Sequence, residues 1–358
     1  MWFHVGRTVL RCDVYAPGWG GTDLCEGESM SAPVSAVSAV SAPSTVTVTV
    51  TARRPLTARV DEFRLEPAAP GVLPGWTPGA HLDVTVPGGG AGEALVRQYS
   101  LCSDPADRSG YTIAVDRAAD SRGGSTALHE LATVGTPLQV GEPRNHFPLT
   151  RALNYVFVAG GIGVTPMIAL AAQVARSERP WRMLCLARTT DAMPYLPELR
   201  STYGDEVSFH ASSGGRVDLA AELADLPRGT AVYVCGPGTL ADDVAAVVAD
   251  QPAVDVFTEQ FTAPDTSGET TSFDVSLASS GETFTVPSDA SVLSVLEDHG
   301  RLVASSCREG MCGTCEVEVV SGEVDHRDAV LTPEERAENE SMMVCVSRCF
   351  SGRLVLDL

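Results

Sequence analysis

Apolar side chains recur along the chain with changing period, and each period marks a stretch of different architecture. From residue 46 the period is two: Val46, Val48 and Val50 alternate with threonine, residues 58–65 continue the alternation, and residues 80–86 repeat it. That is the pattern of strands with one face against a core. Proline and glycine clusters over residues 67–79 and 87–92 punctuate the runs as turns. A further strand ends at Arg97, Gln98, Tyr99, Ser100 and Leu101, and a hairpin brings in Ile113, Ala114 and Val115. A helix then opens at Gly123, Gly124, Ser125 and Thr126, carrying His129 as a packed or surface residue, and residues 143–148 form a connecting loop. Short strands separated by turn signals predict a small antiparallel β-barrel over residues 46–150.

Near Arg151 the pattern shifts. Residues 154–159 are a continuous apolar run, as in strands of a parallel sheet covered on both faces. Gly160, Gly161, Ile162, Gly163, Val164, Thr165 and Pro166 turn this strand into a helix with Met167, Leu170, Ala171 and Val174 on one face. Strands over residues 182–187 and 230–234 alternate with helices such as 219–226, and residues 256–261 close a doubly wound α/β unit spanning 151–262. Residues 263–271 read as a linker. Beyond it, 273–277 and 282–286 pair as a hairpin, and 291–299 form a helix with Ser291 as N-cap and Gly300 as its stop. Strands at 316–320 and 354–358 complete an α+β domain over 272–358. Residues 1–45 contain a Ser/Ala/Val/Pro stretch at 31–44 and no apolar signal-peptide core, so a disordered extension without a secretory leader is expected. Met30, at a change of composition, is a candidate start, and Cys12 and Cys25 receive no role.

At 358 residues the chain has length for two or three domains. It carries 46 acidic residues against 25 arginines and no lysine, for a net charge of -21 and a pI near 4.6. Such an excess repels phosphate backbones and excludes nucleic acid as a partner. Lysine avoidance points to a GC-rich coding source. Residues 271–358 hold 16 acids and 6 arginines, making the C-terminal stretch the most negative per residue. That suits steering toward a basic patch on a partner protein, although solubility alone produces the same bias. The longest apolar run, 155–175, is interrupted by glycines and Pro166, so no membrane span is expected.

The C-terminal stretch also carries the sharpest chemistry. Cys307, Cys312 and Cys315 are spaced C-x4-C-x2-C with Cys345 and Cys349 downstream, the plant-type [2Fe-2S] arrangement of a tight loop plus one distant thiolate. Gly310 and Gly313 let the backbone curl at positive φ and aim N–H groups at the cluster. Structural zinc prefers paired C-x2-C knuckles, of which only Cys312 and Cys315 offer one, and disulfides do not suit a cytoplasmic chain. Upstream, Arg97 offers a fork for phosphate, Tyr99 a flat surface, and Ser100 a hydroxyl. With Arg122, Gly123, Gly124 and Ser125 as a nest at a helix start, these fit a flavin jointly, though each is weak alone. The turn at Gly160, Gly161, Gly163, Thr165 and Pro166 suits a diphosphate at a helix N-terminus. Cys235, Gly236, Pro237 and Gly238 end a strand at the sheet's carboxyl edge, with Cys235 either against a nicotinamide or plain core.

Taken in order, these motifs, with Asp325, His326, Arg327 and Asp328 and with Cys345, Val346, Ser347 and Arg348, resemble the phthalate dioxygenase reductase and vanillate O-demethylase reductase family from about Val46 to Leu358. The resemblance implies an FMN barrel, an NAD domain and a β-grasp ferredoxin domain, in that order. It implies FMN rather than FAD, Cys345 rather than Cys349 as the fourth iron ligand, and NADH as donor. Arg188 is placed to grip a 2′-phosphate, but no basic cluster accompanies it. Ser100, Thr165 and Cys235 are expected near the hydride path, with Glu259 and Phe261 at its inter-domain edge. The implied partner is a Rieske-type aromatic oxygenase or O-demethylase, with a bacterial cytochrome P450 as the alternative acceptor. A cytoplasmic monomer binding neither nucleic acid nor membrane is expected. The contrasting class is a non-catalytic electron carrier or metal-binding module, against which the intact flavin and nucleotide motifs speak.

Overall fold

In a computed structural model, the described residues are 45–86, 95–117, 123–261, 266 and 268–358. The expectations for residues 1–44, for the turn at 87–92 and for Arg122 lie outside them.

The threonine–valine alternation becomes strand β1 (Thr45–Pro55), with Val48 and Val50 fully buried and a register shift between Val50 and Ala52. With β2 (Val60–Pro67), β3 (His81–Val86), β4 (Leu95–Ser100), β5 (Tyr111–Asp116) and, after helix α1 (Gly124–Leu131), β6 (Pro137–Gly141), it forms one antiparallel sheet in the order β4-β3-β6-β1-β2-β5. The sheet's two edges meet. Leu101 bridges Ile113, and the Cys102 N–H donates to the Thr112 carbonyl at 2.8 Å, giving the barrel-like closure that spares a sheet its open edges. Leu128 of α1 is fully buried in the apolar cluster that fills this barrel.

The second sheet is wholly parallel. Strand β7 (Asn154–Gly160) leads to α2 (Val164–Ala175), β8 (Trp181–Ala187), α3 (Leu196–Tyr203), β9 (Val207–Ala211), α4 (Leu219–Glu222), β10 (Thr230–Cys235), α5 (Gly238–Val248) and β11 (Val254–Glu259), in the strand order β11-β10-β7-β8-β9. Alternate residues of β7 feed two cores. Tyr155, Phe157 and Ala159 pack with α2 and α3, while Val156 and Val158 pack with α5 and Leu223, which explains the unbroken apolar run. Val60 and Ala114 of the first sheet, with Cys102 and Phe147 from the segments after β4 and β6, join the former cluster, so the two units share a continuous core.

Helix α4 is shorter than the expected 219–226. Asp225 takes a left-handed φ of 50°, Pro227 has no N–H to offer the Leu223 carbonyl, and Gln251 satisfies that carbonyl at 2.7 Å and the Leu226 N–H at 2.9 Å. The closing strand likewise stops at Glu259, leaving Gln260 and Phe261 beyond the ladder.

The third unit contains β12 (Phe273–Leu277), β13 (Thr283–Val286), α6 (Val292–Asp298), β14 (Glu316–Ser321), β15 (Val324–Asp325), α7 (Pro333–Glu338), β16 (Ser341–Met343), β17 (Arg348–Cys349) and β18 (Arg353–Leu356). Its main sheet runs β13-β12-β18-β14-β16, and β15 pairs with β17. Ser291 and Ser294 form a reciprocal capping box at the start of α6, and Gly300 follows its end at a φ of 72°. The described part of the expected linker is tied down: Arg327 donates to the Thr266 and Glu269 carbonyls, and Arg348 to that of Thr271. No helix among the described residues is long and apolar enough to cross a membrane.

Candidate functional site

The cysteine loop hangs between α6 and β14 and takes its shape from two glycines. Gly310 and Gly313 have φ of 70° and 69°, and a Cβ at 310 would lie 2.6 Å from Val346 Cγ2 and 3.1 Å from Asp328 Cα. The tight curl turns the N–H groups of Glu309 and Met311 toward Cys307 Sγ, at 3.3 and 3.4 Å. The four thiols fall into two pairs. Cys307 hydrogen-bonds Cys312, lowering the Cys312 thiol while its own is pushed up, and Cys345 lowers Cys315 in the same way. Cys349 instead faces Ser351 Oγ at 3.4 Å, so the fold separates the two rival ligands. No three His, Cys, Asp or Glu residues among those described converge as a single ion would require. Two-plus-two pairing with N–H donors suits a dinuclear iron–sulfide group better than tetrahedral zinc.

Beside the loop lies a cavity of about 140 Å³, reached by all three units. Arg97, Gln98 and Ser100 enter it from β4, Glu259 and Phe261 from the end of β11, and Cys307 and Met311 from the cysteine loop. Its buried polar atoms want partners. Ser100 Oγ, Glu259 Oε2 and His81 Nε2 have none, which is the mark of a polar group that binds there. Burial alone pushes the Glu259 carboxyl up to about 8. Burial and the neighbouring Arg144 lower His81 to about 4, and burial raises the Tyr99 phenol to about 12.

Next to the cavity, Arg97 lies across the start of α1, where a Cβ on Gly124 would come within 2.6 Å of Arg97 Cγ. Gly123 caps that helix at a φ of 95°, with Ser125 and Thr126 in its first turn. A guanidinium over a helix N-terminus is a cradle for phosphate. Ile113 and Val115 point into the barrel core, while Ala114 faces the second sheet.

A larger cleft, about 880 Å³, opens at the carboxyl ends of β7 to β10. Gly160, Gly161, Gly236 and Pro237 line it, and Phe261 is a wall common to cleft and cavity. The glycines here serve different purposes. Gly161 has a φ of 55° and open space before it, whereas a Cβ on Gly163 would lie 2.2 Å from the Cys235 carbonyl oxygen. Thr165 is buried and spends its hydroxyl on the Ile162 carbonyl at 2.9 Å, and Pro166 is buried beside it. Cys235 is fully buried, with burial raising its thiol, and it lines neither cavity nor cleft. One expectation is corrected. Arg188 has basic company, because Arg216 and His210 line the same cleft.

A family profile described as a 2Fe-2S iron-sulfur cluster binding domain matches residues 275–349. The chain is 41% identical over 296 residues to the vanillate O-demethylase oxidoreductase of Pseudomonas sp. strain HR199, covering 80% of this chain and 92% of that protein. The solved structure of phthalate dioxygenase reductase, titled a modular structure for electron transfer from pyridine nucleotides to [2Fe-2S], is 36% identical with a TM-score of 0.65, covering 88% of this chain and 98% of that one. The chain belongs to this oxygenase-reductase family. The reductase also matches an intact type IV self-sufficient cytochrome P450 monooxygenase, at 40% identity and a TM-score of 0.78, covering 88% of this chain but spanning only 41% of that chain's length.

Reading the reductase as a sequence missed His81, His146 and Met311 at the cavity and Arg216 and His210 at the cleft. The run Ser213-Gly214-Gly215-Arg216 was the available signal for Arg216, a glycine turn ending in a cation after a strand. Nothing local marked the histidines, which lie on a strand and in a loop.

Proposed function

We propose that this chain is an NADH-dependent reductase component that takes hydride from NADH onto FMN and hands electrons singly, through a [2Fe-2S] cluster, to a terminal oxygenase. The observation that carries the reading is the junction cavity, where Ser100, Glu259 and Cys307 line one space although they belong to three units. A flavin held there would accept an electron pair and release it one electron at a time, which a one-electron centre requires. Arg97 and the α1 start, with Gly123, Gly124, Ser125 and Arg122, would hold its phosphate, and Gln98, Tyr99, Ser100, Ile113, Ala114, Val115 and Thr126 would surround the rest. The cleft residues Gly160, Gly161, Gly163, Thr165, Pro166, Gly236 and Pro237 would seat the nucleotide. Cys235 would support that wall from within, and Phe261 would border both sites. Glu259, neutral below pH 8, would hold a proton beside the cavity without adding a buried charge. Cys307, Cys312, Cys315 and Cys345 would hold the cluster, and Cys307 faces the cavity.

The proposed domains are 46–150 for FMN, 151–262 as a doubly wound NAD unit, and 272–358 as a β-grasp ferredoxin unit, in a cytoplasmic monomer. A Rieske-type oxygenase or O-demethylase is the favoured acceptor, following the relatives' names. The higher TM-score with the self-sufficient P450 supports a cytochrome P450 as the second reading. Flavin extraction with iron and labile-sulfide analysis tests the cofactor set; FAD in place of FMN, or protein that takes up no iron under anaerobic reconstitution, would overturn it. Turnover with a purified Rieske oxygenase against a P450 separates the acceptors.

A further inference from the structure

The barrel grips the cysteine loop through one carboxylate–guanidinium pair. Asp83, on β3 opposite Gln98 of β4, accepts at Oδ1 from Arg144 Nη2 at 2.6 Å and from Gln98 Nε2 at 3.1 Å. Its Oδ2 accepts from Ser306 Oγ at 2.5 Å. Arg144 is tied to β3 by reciprocal backbone bonds with His81, at 2.9 and 3.1 Å, and reaches with Nη1 to Thr314 Oγ1 at 2.9 Å. Ser306 immediately precedes Cys307. Thr314 stands between Cys312 and Cys315, with its hydroxyl 3.1 Å from Cys312 Sγ. Two side chains of the barrel therefore hold the loop on either side of Cys307 and Cys312. Both are largely withdrawn from solvent, at 13% and 27% side-chain exposure, where charge-assisted bonds keep most of their strength. His146 backs the same contact, stacking on His81 at 5.6 Å and meeting Gly313, whose added Cβ would lie 3.1 Å from His146 Cε1.

We propose that Asp83 is a positioning residue for electron transfer between the flavin site and the cluster: acting through Arg144, Ser306 and Thr314, it fixes how far Cys307 stands from the cavity. The assignment rests on the functional reading above. One electron moves from the reduced flavin to the cluster in this step, and no bond is made or broken. The first half of the reaction, hydride arriving at the flavin, involves none of the clamp's bonds to the loop.

The test uses the holoenzyme and two acceptors. Ferricyanide drains the flavin directly, and cytochrome c is reduced through the cluster. Asp83→Ala is expected to keep NADH–ferricyanide turnover within about twofold of wild type while cytochrome c reduction falls clearly below that range, because the loop loses the bonds that hold it beside the cavity. Iron and sulfide content should stay at the wild-type level, and hydrogen–deuterium exchange should quicken in the peptide spanning 302–316. Asp83→Asn, which keeps an acceptor for Arg144 and a hydrogen-bonding atom for Ser306, should recover most of the cytochrome c rate. Should Asp83→Ala fail to fold, Ser306→Ala removes a single bond on the loop side and should still lower the ratio of the two activities. Equal loss of both activities, or an unchanged ratio with unchanged exchange in both variants, would overturn the assignment. Wild-type holoenzyme that reduces neither acceptor with NADH would instead defeat the functional reading itself.

Discussion

Gly163→Ala isolates what the glycine turn after β7 does. Its φ of -62° is ordinary helical backbone, so alanine meets no conformational obstacle there. The obstacle is space. The new Cβ would lie 2.2 Å from Cys235 O, 2.4 Å from Cys235 C and 2.8 Å from Gly236 N, where non-bonded atoms settle at about 3.5 Å. Every atom in that overlap is backbone, and β7 and β10 are locked in parallel register with Ala159 beside Cys235, so no side chain can swing aside. Overpacking costs about 1–3 kcal/mol, and this case belongs at the top of the range, near 3 kcal/mol. At about 2–4 °C per kcal/mol the midpoint should fall by roughly 6–12 °C. Because Gly160, Gly161, Gly236 and Pro237 line the cleft on both sides of the clash, kcat/KM for NADH with ferricyanide should also fall by about tenfold or more. Gly161→Ala is the control. Nothing lies within 4 Å of its Cβ, and only the left-handed φ of 55° is paid, roughly 1–2 kcal/mol. Thermal unfolding followed by circular dichroism, beside steady-state kinetics, decides the matter: if Gly163→Ala melts no lower than Gly161→Ala, the packing argument is wrong.

Three further outcomes are expected. Cys312→Ser should lose iron and sulfide while Cys349→Ser keeps both, because Cys349 faces Ser351 rather than the thiol pairs; iron loss from Cys349→Ser would refute the ligand set. The Glu259 carboxyl is raised by burial from 4.5 to about 8, so its contribution to stability is complete below pH 4.5 and is lost as pH climbs through 8. Glu259→Gln should therefore gain on wild type steadily over that window in urea unfolding of flavin-free protein, and parallel pH profiles would contradict the burial. NADH should give a higher kcat/KM than NADPH, and added salt should slow NADPH more, since Arg188 and Arg216 line the cleft; a tenfold preference for NADPH would overturn the assignment.

The cysteine loop, the R-x-Y-S strand end and the glycine turn were legible because each needs particular residues at fixed spacing. Local pattern also marked most strands, since Val48, Val50 and the run of β7 declare which faces are covered. Strand β6 escaped, although it lies in the middle of its sheet between β3 and β1, because five residues beginning with proline carry too little alternation. Helix α5 showed Ala241, Val244 and Val248 at helical spacing and was overlooked behind the Cys235 motif. The length of α4 was not legible, for it depends on Gln251, 28 residues beyond the carbonyl it satisfies. The choice between Cys345 and Cys349 was not legible from spacing, which admits both; the resemblance alone favoured Cys345, and in the fold Cys349 sits on β17 beside Ser351.

The three units meet in space although they follow one another along the chain, and this explains why Asp83 and Arg144 carried no local signal. By sequence the barrel comes first, the parallel sheet second and the cysteine loop last. In space the three come together, since β4, the end of β11 and the cysteine loop all line one cavity. That requires contacts of great sequence separation: Asp83 and Ser306 are 223 residues apart, and Arg144 and Thr314 are 170 apart. Closing such loops costs entropy that no single pair offsets, so the third unit must be held at several points at once. Arg327 and Arg348 bind the connecting segment by its carbonyls, while Asp83 and Arg144 bind the loop by its hydroxyls. The first pair keeps the unit near, and the second gives it a register. Asp83 and Arg144 each read in sequence as one more surface charge, and their purpose exists only when the barrel and the third unit are assembled.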